Sequence, residues 1–452
     1  MSMFDSNRLP AATFKLDYLR MREGWYSDKY FTNIVRLLAQ LSAEGYTFDG
    51  ESPKLPTELS SDANVGDLHV EMQWFTRRTP FSIVVGVDKA LAILKLCTGY
   101  FDNDGEWAST FDQLEIEAVH DGFVATYEGQ PGSAVPVLKV RGRYRDFALL
   151  ETPTLGALTR GTRVATNVYE VLRAARGKDV LFFPARFDAH EVQAGDGYAY
   201  HTAVQAFNHA FGKKIISSVS TDEQGEWWGG AGSGTVAHAA IACFFGDTAE
   251  AMRQFARILP PSIPRIALVD FNNDCVVDAC KTADVLFAEY RKQIEAGLPD
   301  EAVRYILYGV RLDTSPSLVD QSLQPSEDPA ERGVNPRLVQ KVREALDSAY
   351  ETWDLPDQWR LRAQEFCKSI KISVTGGFTP NKIRFFEDQK IPVDVYGVGS
   401  YLFSNAAEAG TNNDFTADVV RIKVNGKWED LAKTGRQPLD NINLQPVDLN
   451  TL

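Results

Sequence analysis

The chain has 452 residues, 44% hydrophobic and 24% charged, and its 61 Asp plus Glu against 47 Lys plus Arg leave a formal charge of −14. That balance excludes disordered, collagen-like and disulfide-scaffold chains. With no basic block to offset the acid, it also argues against a general nucleic-acid or membrane-surface binder.

At roughly 100–200 residues per domain the length implies two or three domains, although a barrel can absorb ~250 residues as one unit. The N-terminus carries Asp5 before any apolar run, unlike the basic-then-apolar order of a secretion signal. The most apolar window, 81–100, is broken by Asp88, Lys89 and Lys95, well short of the ~20 apolar residues of a membrane span. A cytoplasmic protein is expected. Cys97, Cys243, Cys275, Cys280 and Cys367 are odd in number and scattered, as reduced thiols would be. Cys275 and Cys280 lack the second pair a structural zinc site needs, so buried thiols are the preferred reading.

Residues 1–150 alternate short helical and strand-like stretches, and 135–144 read as the edge of a strand pair. From Glu151 the texture changes. Leu155, Leu158, Ala165, Val168 and Leu172 predict a helix over 154–176, stopped by Gly177. Strands are then expected at 180–183, 215–219, 266–270, 305–313, 369–374 and 393–396. Helices are expected at 236–245, 247–259 with Asp247 and Glu250 as a capping box, 278–296, and 336–350 capped by Asn335. Strands alternating with helices imply parallel β-structure with right-handed crossovers. The polar segment 315–333 reads as a solvated insertion, and 419–424 with the chain from Lys427 onward as a hairpin turning at Asn425 and Gly426.

The chemistry lies in the short segment after each strand. PARFD (184–188), DFNND (270–274), RLDTS (311–315), TGGF (375–378) and GVGS (397–400) would share the C-terminal rim of a parallel barrel. The glycines of TGGF and GVGS could let backbone amides approach a phosphate, or could simply be turns. In GEWWGGAGSGTVAH (225–238), Thr235 is a natural N-cap and His238 would face the anion site above it. An imidazole there can serve as a nucleophile toward phosphoryl groups or as an acid–base group; packing inside a barrel is the plainer alternative. Asp270 and Asp313 could hold Mg²⁺ or sugar hydroxyls, or cap helices. Trp227 and Trp228 could stack on a ring or pack in a core. The other five histidines share no metal-like spacing.

The ordered set ETP (151–153), PAR (184–186), GTVAH (234–238), VD (269–270), GVRLD (309–313), TGG (375–377) and GVGS (397–400) resembles the nicotinate phosphoribosyltransferase family, a type II phosphoribosyltransferase group. SDKYF (27–31) and the terminal hairpin ending in LAK (431–433) extend the resemblance to both ends. It implies an irregular α/β barrel over 151–410, joined to an α/β sandwich built from 1–150 and 411–452. It further implies nicotinate mononucleotide synthesis from nicotinate and phosphoribosyl pyrophosphate, with ATP and Mg²⁺, in a homodimer. By motif match Tyr30 would pack on the pyridine, and Thr235 and Arg311 would bind its carboxylate. His238 would be phosphorylated by ATP, and Asp270 and Asp313 would contact ribose hydroxyls or Mg²⁺. Gly376, Gly377, Gly399 and Ser400 would hold the 5′-phosphate, while Arg186 and Arg160 would neutralise pyrophosphate. Ala239, Thr314, Ser315 and the Thr of TGG depart from the family pattern. Rival readings are transfer to nicotinamide, quinolinate or another base, a non-catalytic nucleotide-sensing barrel, and a barrel lyase or aldolase; Lys371 is the one lysine inside a predicted strand near such an end.

Overall fold

The computed structural model describes residues 7–60, 63–234, 236–326 and 328–449. The chain divides into two compact units, one of Met1–Tyr169, Tyr198–His209 and Ser404–Leu452, the other of Glu170–Gly197 and Ala210–Phe403. The divisions fall at 169 and 403, where the sequence suggests 150 and 410, and residues 198–209 belong with the first unit.

The first unit is built on a six-stranded antiparallel sheet. Its order is Lys427–Asp430, Phe415–Val424, His69–Thr76, Leu138–Arg143, Glu115–Ala118, Gln445–Pro446. Strand Leu138–Arg143 is therefore interior, not an edge, because His69–Thr76 supplies the second ladder. Met72, Trp74, Leu91, Leu94, Val140 and Phe147 belong to its core. Glu71 is completely buried in the sheet, accepting from Arg141 Nε at 2.6 Å and Arg421 Nη1 at 3.0 Å, so its charge is compensated where water cannot reach it.

The second unit carries five parallel strands: β1 (Asp179–Phe182), β2 (Arg265–Leu268), β3 (Leu307–Leu312), β4 (Lys371–Val374) and β5 (Val395–Val398). They lie in the order β1-β5-β4-β3-β2. Beyond β1 the sheet curls on through single parallel bridges, Phe182 to Val219 and Val219 to Gly232. Segment 215–219 thus contributes one bridging residue where the sequence predicts a strand. Val180, Phe182, Leu268, Val310, Leu312, Ile372, Val374, Tyr396 and Val398 are each no more than 1% exposed, as strands of a covered parallel sheet must be.

Side-chain caps fix the crossover helices in register. Asp247 accepts from the Glu250 amide at 3.1 Å and opens helix Thr248–Ile258. Asn335 does the same for Pro336–Ser348 through the Leu338 amide at 3.0 Å. Asp274 opens Cys275–Glu295 through the Val277 amide at 3.1 Å, three residues before the predicted start. The polar insertion 315–333 is not simply solvated. Asp320 within it is completely buried and accepts from the Cys275 amide at 3.0 Å, pinning the insertion to that helix. Among the described residues no helix is long and apolar enough to cross a membrane.

Candidate active site at the strand ends

Parallel strands deliver all their C-terminal ends to one face, so the residues following β1 to β5 share a rim. On β3 the period of two puts Arg311 and Asp313 on one face, with buried Leu312 between them on the other. Gly309 lets β4 approach closely: a methyl there would sit 2.9 Å from the Lys371 carbonyl oxygen. Arg311 lies with its guanidinium 5.9 Å from the Phe183 ring centroid and donates through Nη2 to the Val236 carbonyl at 3.4 Å. Its Nε is buried and finds no hydrogen-bond partner among the described residues. Burial holds its pKa below the ordinary arginine value; Asp313 and Asp270 oppose that shift and Arg186 adds to it.

His238 and Asp270 form the second element of the rim. His238 Nε2 lies 3.1 and 3.0 Å from the two Asp270 carboxylate oxygens. The Asp270 side chain is 8% exposed and that of His238 45%. Burial raises the Asp270 pKa against the lowering effect of His238, and Asp313 adds to the rise. The helix carrying His238 spans only His238–Cys243, with Ala237 at its cap and no side-chain cap bond. The helix predicted over 236–245 is therefore present but shorter at both ends. Thr235, its predicted cap, lies outside the described residues.

The two glycine motifs differ in kind. Gly376 and Gly377 have φ of 90° and 68°, left-handed conformations that glycine adopts without strain. A methyl on Gly377 would meet nothing within 4 Å, and one on Gly376 would sit 3.4 Å from Asp313 Oδ1. The GVGS glycines instead answer close packing. A methyl on Gly397 would sit 2.5 Å from Thr375 Cγ2, and one on Gly399 2.7 Å from Phe187 Cε2. Ser400 is exposed at the start of the turn Ser400–Phe403. Arg186 is exposed, its guanidinium 5.3 Å from the Phe187 ring centroid.

His238, Asp270, Arg311, Asp313, Arg186 and Gly376 are thus tied together in the second unit by contact or by mutual charge. Tyr30 and Arg160 belong to the first unit. There Tyr30 is 59% exposed and its hydroxyl donates to Asp28 at 3.1 Å; Arg160 is half-buried on helix Glu151–Ala174. Phe183, the ring beneath Arg311, was not evident as a site residue, because an aromatic closing a strand reads as core. Among the described residues no three His, Cys, Asp or Glu side chains gather into a metal cage. Asp270 and Asp313 offer two neighbouring carboxylates, a set suited to a magnesium ion carried in by phosphates.

The five-stranded parallel sheet with its curled edge, together with the antiparallel sheet of the first unit, is the type II phosphoribosyltransferase fold. No family model matches the chain. Among solved structures it is similar to nicotinate-nucleotide pyrophosphorylase from Pyrococcus furiosus, at 23% identity over 93% of this chain and 80% of that one, with a TM-score of 0.60. Human nicotinic acid phosphoribosyltransferase matches at 14% identity over 89% of this chain and 75% of that one, with a TM-score of 0.49. NadC from Streptococcus pyogenes matches at 12% identity over 87% and 97%, with a TM-score of 0.44.

The first of these likenesses corrects the expected activity: the structure it matches over 93% of this chain is named a nicotinate-nucleotide pyrophosphorylase, not an ATP-coupled nicotinate phosphoribosyltransferase. ATP is withdrawn as cofactor and partner, and with it the phosphohistidine at His238. In the local geometry Nε2 of His238 faces the Asp270 carboxylate, which would repel an approaching phosphate.

Proposed function

We propose that the protein is an ATP-independent phosphoribosyltransferase acting on a pyridine carboxylate, quinolinate foremost, with phosphoribosyl pyrophosphate as donor. One observation carries this reading. Arg311 is a guanidinium with a buried, unpartnered Nε, placed near a second arginine, Arg186, and beside the open glycine turn after β4. Two cations that repel one another at the end of a parallel sheet would both be satisfied by a polyanion between them, and a dicarboxylate base with a pyrophosphate donor is one. Arginine suits the base because its planar fork matches a carboxylate.

In the reaction the pyridine nitrogen attacks C1 of the ribose as the bond from C1 to the pyrophosphate oxygen breaks, and pyrophosphate leaves with that electron pair. With quinolinate, the ring carboxylate next to the nitrogen departs as carbon dioxide and a proton takes its place. Arg311 orients the base and Arg186 neutralises the departing anion. Asp313 meets the ribose hydroxyls, and His238, aligned by Asp270, is placed to carry the proton. Positioning and electrostatic stabilisation do most of the work in such a displacement.

The test is a panel of quinolinate, nicotinate and nicotinamide with phosphoribosyl pyrophosphate, with and without ATP, and identification of the products. Nicotinate mononucleotide and pyrophosphate from quinolinate without ATP are expected. Turnover that requires ATP, or none with any pyridine, would overturn the reading.

A further inference from the structure

Behind the double-glycine turn sits a lysine that the motifs do not mark. Lys382 belongs to helix Pro380–Asp388, whose N-cap Thr379 accepts from the Lys382 amide at 3.3 Å. Its Nζ lies 4.3 Å from the Phe378 ring centroid and donates to the Gly376 carbonyl at 3.4 Å. Phe378 is 2% exposed and wedged between Phe386, at 5.2 Å edge-on, and Tyr396, at 5.5 Å, so the platform beneath the ammonium is fixed.

The ammonium is half-buried, yet no carboxylate of a described residue pairs with it. The charged groups around it are engaged elsewhere. Glu387 accepts from Lys178 and Tyr396. Asp388 accepts from Arg176, and Arg384 donates to Asn381. Asp313 lies beside Gly376 and contributes nothing to the Lys382 charge balance. Burial alone pulls the Lys382 pKa down to about 8. A half-buried cation without a counter-ion is destabilising in the free protein, and a bound anion would remove that penalty. The anion-accepting feature next to it is the pair of amides at Gly376 and Gly377, in the very turn whose carbonyl Lys382 touches.

We propose that Lys382 is a ligand of the sugar-phosphate end of the donor, holding a phosphate monoester together with the Gly376 and Gly377 amides, while the pyrophosphate end lies toward Arg186. This rests on the phosphoribosyl reading above and adds to it a residue outside the motifs.

Calorimetric titration of the full chain with two probes, ribose 5-phosphate and inorganic pyrophosphate, tests it. Lys382→Met should weaken ribose 5-phosphate by about 10- to 100-fold, the worth of one charged hydrogen bond. It should leave pyrophosphate within about twofold, which also reports that the variant is folded. From about pH 7 to about pH 9 wild-type affinity for ribose 5-phosphate should fall about tenfold as Lys382, at about 8, loses its proton. The Lys382→Met protein should lack that step. Unchanged ribose 5-phosphate affinity in the variant, equal weakening of both probes, or an equally steep pH profile would each overturn the assignment. A wild-type protein that binds neither probe would instead overturn the phosphoribosyl reading itself.

Discussion

Replacing Arg311 with methionine separates a binding role from a structural one, because the two predict opposite changes in stability. In the free protein the buried Nε lacks a partner, a penalty of about 1–3 kcal/mol. Methionine keeps most of the apolar stem over Phe183. What is lost is the 3.4 Å bond to Val236 and attraction to Asp313 and Asp270, together about 1 kcal/mol. The variant should therefore be as stable as wild type or up to about 2 kcal/mol more stable, measured by urea unfolding. Transition-state stabilisation should fall by about 3–4 kcal/mol, a drop of about 100- to 1000-fold in kcat/KM with quinolinate. A variant destabilised by more than about 2 kcal/mol, or one with unchanged kcat/KM, would refute the argument.

Two further perturbations probe the framework. Burial, with Asp418 and Asp28 adding to it, raises Glu151 from 4.5 to about 7. An acid whose folded pKa is raised favours its neutral form when folded, so this contribution is full below about 4.5 and is lost as pH rises through about 7. After discounting for partial exposure, Glu151→Gln should gain about 1–3 kcal/mol relative to wild type between those pH values; a difference that stays constant with pH refutes this. Gly397→Ala should cost about 1–3 kcal/mol through overpacking on Thr375. Thr375→Ser removes the methyl it strikes and keeps a hydroxyl for the Leu312 carbonyl, so the double variant should recover at least part of the loss. Strictly additive losses in thermal melts would count against the steric account.

What was legible in the sequence was local. Asp247 and Asn335 announce their helices because a cap is decided within four residues, and Asn425 and Gly426, at φ of 49° and 77°, turn the hairpin as their types require. The alternation of apolar runs with helical periods gave the parallel sheet, and the strand-end motifs gave Arg311, Asp313 and Asp270. Non-local facts were hidden. Whether 138–143 is edge or interior depends on His69–Thr76, and 215–219 joins the sheet only through the bridges of Val219. GTVAH and GVGS looked like anion loops, yet the first opens only a short uncapped helix and the second spends its glycines on Thr375 and Phe187. Lys382 drew no reading from the sequence, since its setting depends on Phe378 being held by two rings that lie later in the chain.

The six-stranded sheet also sets a timetable. Strand His69–Thr76 leaves the ribosome long before one of its two neighbours, Phe415–Val424. Until then its Phe415–Val424 side presents an unpaired ladder edge, the kind of surface that recruits other chains. The parallel strands all lie between these two: β2 to β5 pair in the order they emerge, and β1 waits for β5. Synthesis is thus a race in which the parallel-sheet unit can be complete while the unit begun first still waits for its Phe415–Val424 strand. A chain truncated before residue 415 should aggregate through that waiting edge even though every residue of the strand-end cluster has been made.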